Sequence, residues 1–182
     1  MIDIIEITIE EFKSDIYSKY LELFPEDERR PLAKLSKSYN AGVEKFYKIV
    51  LNNVAIGFLT LEKIKDLPFY LDYFAIFKEY QDKGYGTKAL EILLKKLDNE
   101  LIGEIEKEDA SDQNTIKRFQ FYKKLGFRKI DSEYLVFDVH YTPIIYSKAK
   151  MLDKEKLDKI FFEYYRTNSE KEDFEVKCKL IK

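Results

Sequence analysis

Residues 81–87 read Gln81-Asp82-Lys83-Gly84-Tyr85-Gly86-Thr87. An apolar run, Tyr70 to Phe77, precedes them, and a helix-patterned run, Lys88 to Leu97, follows. Strand, glycine turn and helix start, in that order, build an anion site. Glycines let the backbone turn tightly and bring its N–H groups close to a ligand. The first turn of the new helix adds unpaired donors and the positive end of a dipole. A phosphate or pyrophosphate suits such a place.

Three nucleotide-binding patterns compete for the turn. A P-loop needs four residues between its first glycine and Gly-Lys-Ser/Thr, a spacing that Gly84-Tyr85-Gly86-Thr87-Lys88 lacks. The dinucleotide fingerprint G-x-G-x-x-G/A is met by Gly84, Gly86 and Ala89, with Glu106 about twenty residues on, where a ribose-binding acid is expected. Residues 78–83 nevertheless intervene between strand and glycine. The chain also offers few strand–helix units for a doubly wound sheet.

The third pattern is a coenzyme A site. Gln81-x-x-Gly84-x-Gly86 after a strand resembles the acetyl-CoA motif of the GCN5-related N-acetyltransferases, the GNAT family. Phe121-Tyr122-Lys123-Lys124-Leu125-Gly126-Phe127 resembles their second signature, a helix ending in Phe/Leu-Tyr-x-x-x-Gly-Phe. The two motifs stand in the family's order, joined by a helix–strand unit, and the resemblance covers roughly residues 43–139. Phe24-Pro25-Glu26-Asp27-Glu28-Arg29 and Glu104-Ile105-Glu106 resemble a bacterial branch of it. The chain departs at one place: Thr115 stands where many members carry an Asn, and Asn114 is one position earlier.

The resemblance implies an acetyl-CoA-dependent N-acetyltransferase. Its fold is expected to be α/β of the mixed, α+β-like kind: a single GNAT-type domain with a twisted mixed sheet, flanking helices and a splayed central strand pair. Main-chain atoms of Phe74, Ala75 and Ile76 are expected to pair with pantetheine. Gln81, Asp82, Lys83, Gly84, Tyr85, Gly86 and Thr87 are expected to hold the pyrophosphate, with Asn114 at the pantetheine or ADP end. Tyr122 becomes the general acid that protonates the departing thiolate. Glu106 is the expected base for the acceptor ammonium, directly or through a water, with Asp72 on the neighbouring strand as the other option.

The remaining elements must carry these residues. Met1 to Ile9 reads as a strand and Glu10 to Phe24 as a helix stopped by Pro25. Pro25 to Pro31 reads as a charged loop, with Arg29 and Arg30 offsetting Glu26 and Glu28, and residues 32–39 as a helical turn. Glu44–Leu51 and Val54–Leu61 are strands joined by an Asn52-Asn53 hairpin turn. Phe69 to Phe77 is the strand before the glycine turn.

Residues 101–106 follow as a strand. Ser111 or Asp112 caps a helix that runs to Leu125 and stops at Gly126. Tyr134 to Tyr141 is a strand. Asp153 caps a last helix, stapled by Leu152 and Leu157. Residues 174–180 form an edge strand or tail. The whole is expected to be one domain, 1–182, with a core at 43–140 and a C-terminal helix and tail at 150–182.

Composition narrows the rest. The chain has 182 residues, 45% hydrophobic and 36% charged, with a formal net charge of −2. Interspersed charge of both signs argues against nucleic acid as a partner. One cysteine, Cys178, and one histidine, His140, leave no multi-Cys or two-His metal site, so no metal is expected. No apolar run approaches spanning length, so no membrane partner is expected and a cytoplasmic protein is. The acceptor is a small-molecule amine or a peptide or protein amine; an aromatic C-terminal helix leaves a homodimer open. Two rivals remain: a dinucleotide-binding oxidoreductase, and a non-catalytic coenzyme A-binding interaction protein.

Overall fold

The computed structural model describes residues 1–97, 100–148 and 153–182. Strands and helices alternate along the chain in a mixed α/β order. They gather into two compact units, residues 1–63 with 71–98 and residues 64–70 with 99–182.

The first unit opens with β1 (Ile2–Ile7), which ends sooner than the run of isoleucines suggests. Thr8 and Glu11 form a capping box: the Glu11 N–H donates to Thr8 Oγ1 at 3.2 Å, and the Thr8 N–H to Glu11 Oε2 at 2.8 Å. Those bonds favour a helix start over a further strand residue by roughly 1 kcal/mol. The helix is α1 (Ile9–Glu11), a π-helical turn (Phe12–Ile16) and α2 (Tyr17–Leu23). The wide turn suits a strict four-residue spacing of buried side chains, Phe12, Ile16 and Tyr20, all on one core. A 3-10 turn (Glu26–Glu28) and α3 (Leu32–Asn40) follow.

Strands β2 (Glu44–Leu51) and β3 (Val54–Glu62) form an antiparallel hairpin, with β1 antiparallel on the outer edge of β2. Asn52 and Asn53 have φ of 49° and 66°, the left-handed pair that a tight hairpin turn requires. The register slips between Ile49 and Val50, so Ile49 faces Gly57 while Val50 faces Ala55. Next to β3 lies β4 (Phe69–Ile76), whose residues from Leu71 onward belong to this unit. Gly57 lets the two strands approach: a Cβ there would stand 2.4 Å from the Ala75 carbonyl oxygen. Phe12, Tyr20, Phe46, Phe58, Tyr73 and Phe77 fill the core beneath. After a 3-10 turn (Lys78–Tyr80) comes α4 (Tyr85–Leu97), which buries Ala89, Leu90, Leu93 and Leu94 and packs against β1.

The second unit holds β5 (Leu101–Glu106), α5 (Gln113–Lys124), β6 (Arg128–Lys129), β7 (Tyr134–Val136) and β8 (Val139–Tyr146). Helices α6 (Lys154–Asn168) and α7 (Lys171–Lys177) and strand β9 (Cys178–Leu180) close it. The strand order is β5-β8-β7-β9, with β6 also paired to β8. The strand expected over residues 134–141 is instead a hairpin turning at Phe137 and Asp138, with φ of 48° and 69°. Asp138 tolerates that conformation, but Phe137 is an unusual residue for it. Tertiary packing holds Phe137 there: its ring lies against the second core and under Lys177 Nζ, and its N–H donates to the Lys177 carbonyl at 3.0 Å.

That core is aromatic, built on Tyr70, Tyr134, Phe161, Tyr164 and Tyr165. Asp153 caps α6 through a 2.8 Å bond from the Lys156 N–H, as expected, whereas the Leu152 half of the expected staple lies outside the described residues. Among the described residues, no helix is long and apolar enough to cross a membrane.

Candidate active site

The glycine turn sits in the first unit between β4 and α4. Asp82 and Gly84 have φ of 59° and 75°, so the chain reverses through the left-handed region twice in three residues. Gly84 suits that conformation without strain, and a Cβ built on it would meet no atom within 4 Å. The first helical bond is Lys88 N–H to Gly84 O at 3.2 Å. Among the described residues, no hydrogen bond is donated by a backbone N–H of residues 82–87. These amides open a 13-residue helix, where unpaired donors and the dipole attract an anion.

The side chains of the turn brace it from behind. Gln81 Nε2 donates to the Ile76 carbonyl at 2.8 Å, tying the turn to the end of β4. Lys83 Nζ donates to the Glu79 carbonyl at 2.8 Å and lies 5.6 Å from the Tyr80 ring centre. The polar residue of the motif thus positions the loop.

In the second unit, Tyr122 is fixed by the way α5 ends. Asp112 caps the start, its Oδ1 accepting from the Asn114 N–H at 2.9 Å. At the other end Gly126 has φ 92°. The Phe127 N–H reaches the Tyr122 carbonyl at 3.2 Å and the Gly126 N–H reaches Lys123 O at 3.0 Å. Those two bonds are a Schellman stop, and its hydrophobic contact is the Phe127–Tyr122 ring pair at 5.3 Å. The spacing Tyr-x-x-x-Gly-Phe is therefore a helix-ending device that also locks the tyrosine ring.

Tyr122 is only 9% exposed, and burial raises its phenol to about 12 although Arg118 pulls it down. Among the described residues its hydroxyl makes no hydrogen bond. A protonated phenol with its donor unspent is what a general acid requires.

The other expected residues take these places. Glu106 is half-buried at the end of β5 and ion-pairs with Arg118 of α5. Glu104, on the same strand, accepts from the Tyr165 hydroxyl of α6. Asn114 is exposed on the first turn of α5. Thr115 is buried: its Oγ1 donates to Asp112 O at 2.8 Å and accepts from the Asp109 N–H at 2.9 Å. The hydroxyl ties the preceding loop to the helix start. His140 is exposed and lies 2.6 Å from Glu133. Cys178 is buried, and burial pushes its thiol up, away from the nucleophilic thiolate.

One cluster in the first unit is absent from the sequence expectations. The Arg30 side chain is largely buried rather than solvated. Its guanidinium reaches Glu44 at 2.6 Å, Glu62 at 3.0 Å and Asp72. Glu44 and Glu62 are 1% and 0% exposed, and the side chains of Arg30 and Asp72 are 13% and 14% exposed. One oxygen from each carboxylate lies within 4.8 Å of the others.

The loop itself is clamped by two phenols. Tyr20 and Tyr73 accept from the Arg30 N–H at 2.7 Å and 3.1 Å, and Tyr73 donates to Glu28 O at 2.8 Å. Burial drives the Glu44 carboxyl well above its ordinary range; Arg30 pulls it down, and Asp72 and Glu62 push it up again. Burial also raises Asp72, with Arg30 opposing.

The comparisons bear on the whole. Most of the chain, residues 9–127, matches the model of the acetyltransferase (GNAT) family. Among solved structures, a Bacteroides thetaiotaomicron protein assigned to GNAT acetyltransferases superposes with a TM-score of 0.77 at 23% identity, covering 91% of this chain and 96% of its own. A GNAT acetyltransferase from Elizabethkingia anophelis, solved with acetyl-CoA bound, gives 0.62 at 18% identity, over 80% and 97%. The ribosomal-protein-S18-alanine N-acetyltransferase of Escherichia coli gives 0.60 at 16%, over 84% and 97%. No curated protein matches the chain. An unpaired amide turn opening one helix, a tyrosine locked at the end of another, and a family match running from the first helix through Phe127 agree: this chain belongs to the acetyltransferase (GNAT) family.

Proposed function

We propose that the protein transfers the acetyl group of acetyl-CoA directly to a primary amine, in a ternary complex and without an acyl-enzyme. The supporting observation is the run of backbone N–H groups, residues 82–87, that donate to nothing among the described residues. In this reading they take the pyrophosphate of acetyl-CoA. Main-chain atoms of Phe74, Ala75 and Ile76 take the pantetheine arm, and Asn114 contacts the cofactor at its pantetheine or ADP end. The nitrogen acceptor is supported by family membership.

The chemistry divides among few groups. Holding amine and thioester together supplies effective molarity. Glu106, steadied by Arg118, takes the proton that the acceptor ammonium must lose. Tyr122 keeps its proton at neutral pH and releases it to the departing thiolate. The buried, neutral Cys178 offers no competing nucleophile.

The same glycine turn read as a dinucleotide site makes the opposite ligand prediction, which gives the test. Acetyl-CoA at a hundred times its Kd is expected to stabilise the fold by about 2.7 kcal/mol, while NADH and NADPH leave the unfolding midpoint unchanged. Stabilisation by a nicotinamide nucleotide and not by acetyl-CoA would overturn the proposal.

A further inference from the structure

We infer that Arg118 is a positioning residue of the acetyl transfer, a single cation handed from the carboxylate of Glu106 to the phenolate left on Tyr122 as the reaction proceeds. The inference rests on the acetyltransferase function proposed above and on the roles given there to those two residues.

The geometry lies within the second unit. Arg118 and Tyr122 stand four residues apart on α5, so their side chains are neighbours on one face of the helix. The guanidinium also reaches β5, where Nη1 donates to Glu106 Oε2. Among the described residues, neither side chain of that pair makes another hydrogen bond or ion pair. A guanidinium has five N–H donors, so most of those on Arg118 remain for a second partner.

The fold has little use for the pair. The two side chains are 44% and 28% exposed, and ion pairs so open to water add little to stability. Tyr122 is in the opposite position. Its ring is buried against Phe121 and Phe127, where a phenolate is costly. Burial raises its phenol, and the cation that opposes the rise is Arg118. Facing Glu106 from β8 is Tyr141, its partner in the sheet register.

The reaction moves negative charge from one neighbour of Arg118 to the other. Glu106 takes a proton from the acceptor ammonium and becomes neutral. The free amine forms its N–C bond to the thioester carbonyl. The C–S bond then breaks, its electron pair goes to sulfur, and the Tyr122 proton follows. The phenolate regains a proton from the second N–H of the former amine. One proton, carried by Glu106, leaves to water. Arg118 is paired at the start by Glu106 and at thiol departure by Tyr122, so neither anion forms unpaired.

The test is thiol release from acetyl-CoA with 1-aminobutane and 1,4-diaminobutane as acceptors. Arg118→Met is expected to lower kcat about tenfold or more while KM for acetyl-CoA stays within about twofold. Its unfolding midpoint should move by less than about 3 °C. Arg118→Lys restores a cation and should recover kcat to within about threefold of the parent.

Two double variants locate the effect. Adding Arg118→Met to Glu106→Gln should still slow the enzyme, since Tyr122 still needs the cation; adding it to Tyr122→Phe should cost less than about threefold. No further loss in Glu106→Gln would mean that Arg118 serves the carboxylate alone, and overturns the inference. Full loss in Tyr122→Phe overturns it too, as does equal damage by Arg118→Lys and Arg118→Met. In each of these cases acetyl transfer itself stands. If the parent releases no thiol with either amine, the acetyl-transfer reading falls and this inference falls with it.

Discussion

Glu44 and Glu62 face each other directly across the β2–β3 hairpin, both with buried side chains. Like charges in that register repel, and two buried carboxylates would not survive there alone. Arg30, arriving from a loop before either strand, bridges them at 2.6 Å and 3.0 Å. The same guanidinium reaches Asp72 on β4, so one side chain ties three strands of the first unit to the loop that precedes them.

Removing that bridge should be severe. Arg30→Met leaves the three carboxylates without their counter-ion and is expected to cost about 3–5 kcal/mol. Urea unfolding at neutral pH measures it. A loss below about 1 kcal/mol would mean that the carboxylates relax into water and that the cluster is not a closed one.

The cluster also predicts a pH dependence. The folded-state pKa of Glu44 is raised well above its ordinary 4.5. The native state then binds the proton that the unfolded chain gives up. Its contribution to stability is full below about 4.5 and is lost as pH rises toward the folded value. Asp72, shifted in the same direction, adds to the slope. Glu44→Gln cannot lose a proton, so it should gain stability relative to the parent from pH 5 to pH 8. Unfolding midpoints of the two proteins across that range check the sign; parallel curves would contradict it.

Two glycines should fail for different reasons. Gly57→Ala drives a methyl group to 2.4 Å from the Ala75 carbonyl, so β3 or β4 must shift, at about 1–3 kcal/mol. Gly84→Ala meets nothing within 4 Å, and its cost is the left-handed backbone alone, roughly 1–2 kcal/mol. Chemical unfolding measures both costs. Calorimetric titration with coenzyme A should show weaker binding in each; unchanged affinity in Gly84→Ala would remove the turn from the ligand site.

Tyr122→Phe keeps the ring, the Schellman stop and the Phe127 contact. It removes only a hydroxyl that makes no hydrogen bond among the described residues. Stability should change by less than about 0.5 kcal/mol. By contrast, kcat should fall by roughly 10²–10⁴-fold, with acetyl-CoA affinity unchanged. Steady-state kinetics beside a binding titration separate the two effects. An unaltered kcat would take Tyr122 out of the chemistry.

Local chemistry explains which features could be read in the chain. The Asn52-Asn53 turn, the Asp112 and Asp153 caps and the Gly126 stop each rest on a residue whose conformational preference acts within a few positions, and each is where expected. The glycine turn was legible for the same reason. What the sequence hid depends on distant partners. Arg30 stands beside Glu26 and Glu28 in the chain, yet its partners are 14, 32 and 42 residues on, brought there by strand register. Phe137 is held in a turn conformation by Lys177, forty residues away. The π-helical turn likewise follows from the packing of Phe12, Ile16 and Tyr20 on one core rather than from residue type.

The most direct measurement is thiol release from acetyl-CoA with a set of alkyl amines and diamines, with mass spectrometry of the product. The account predicts steady release that depends on the amine, one acetyl group on the amine nitrogen, and none on the protein. Tight coenzyme A binding with no amine-dependent release, or an acetyl group left on the protein, would contradict it.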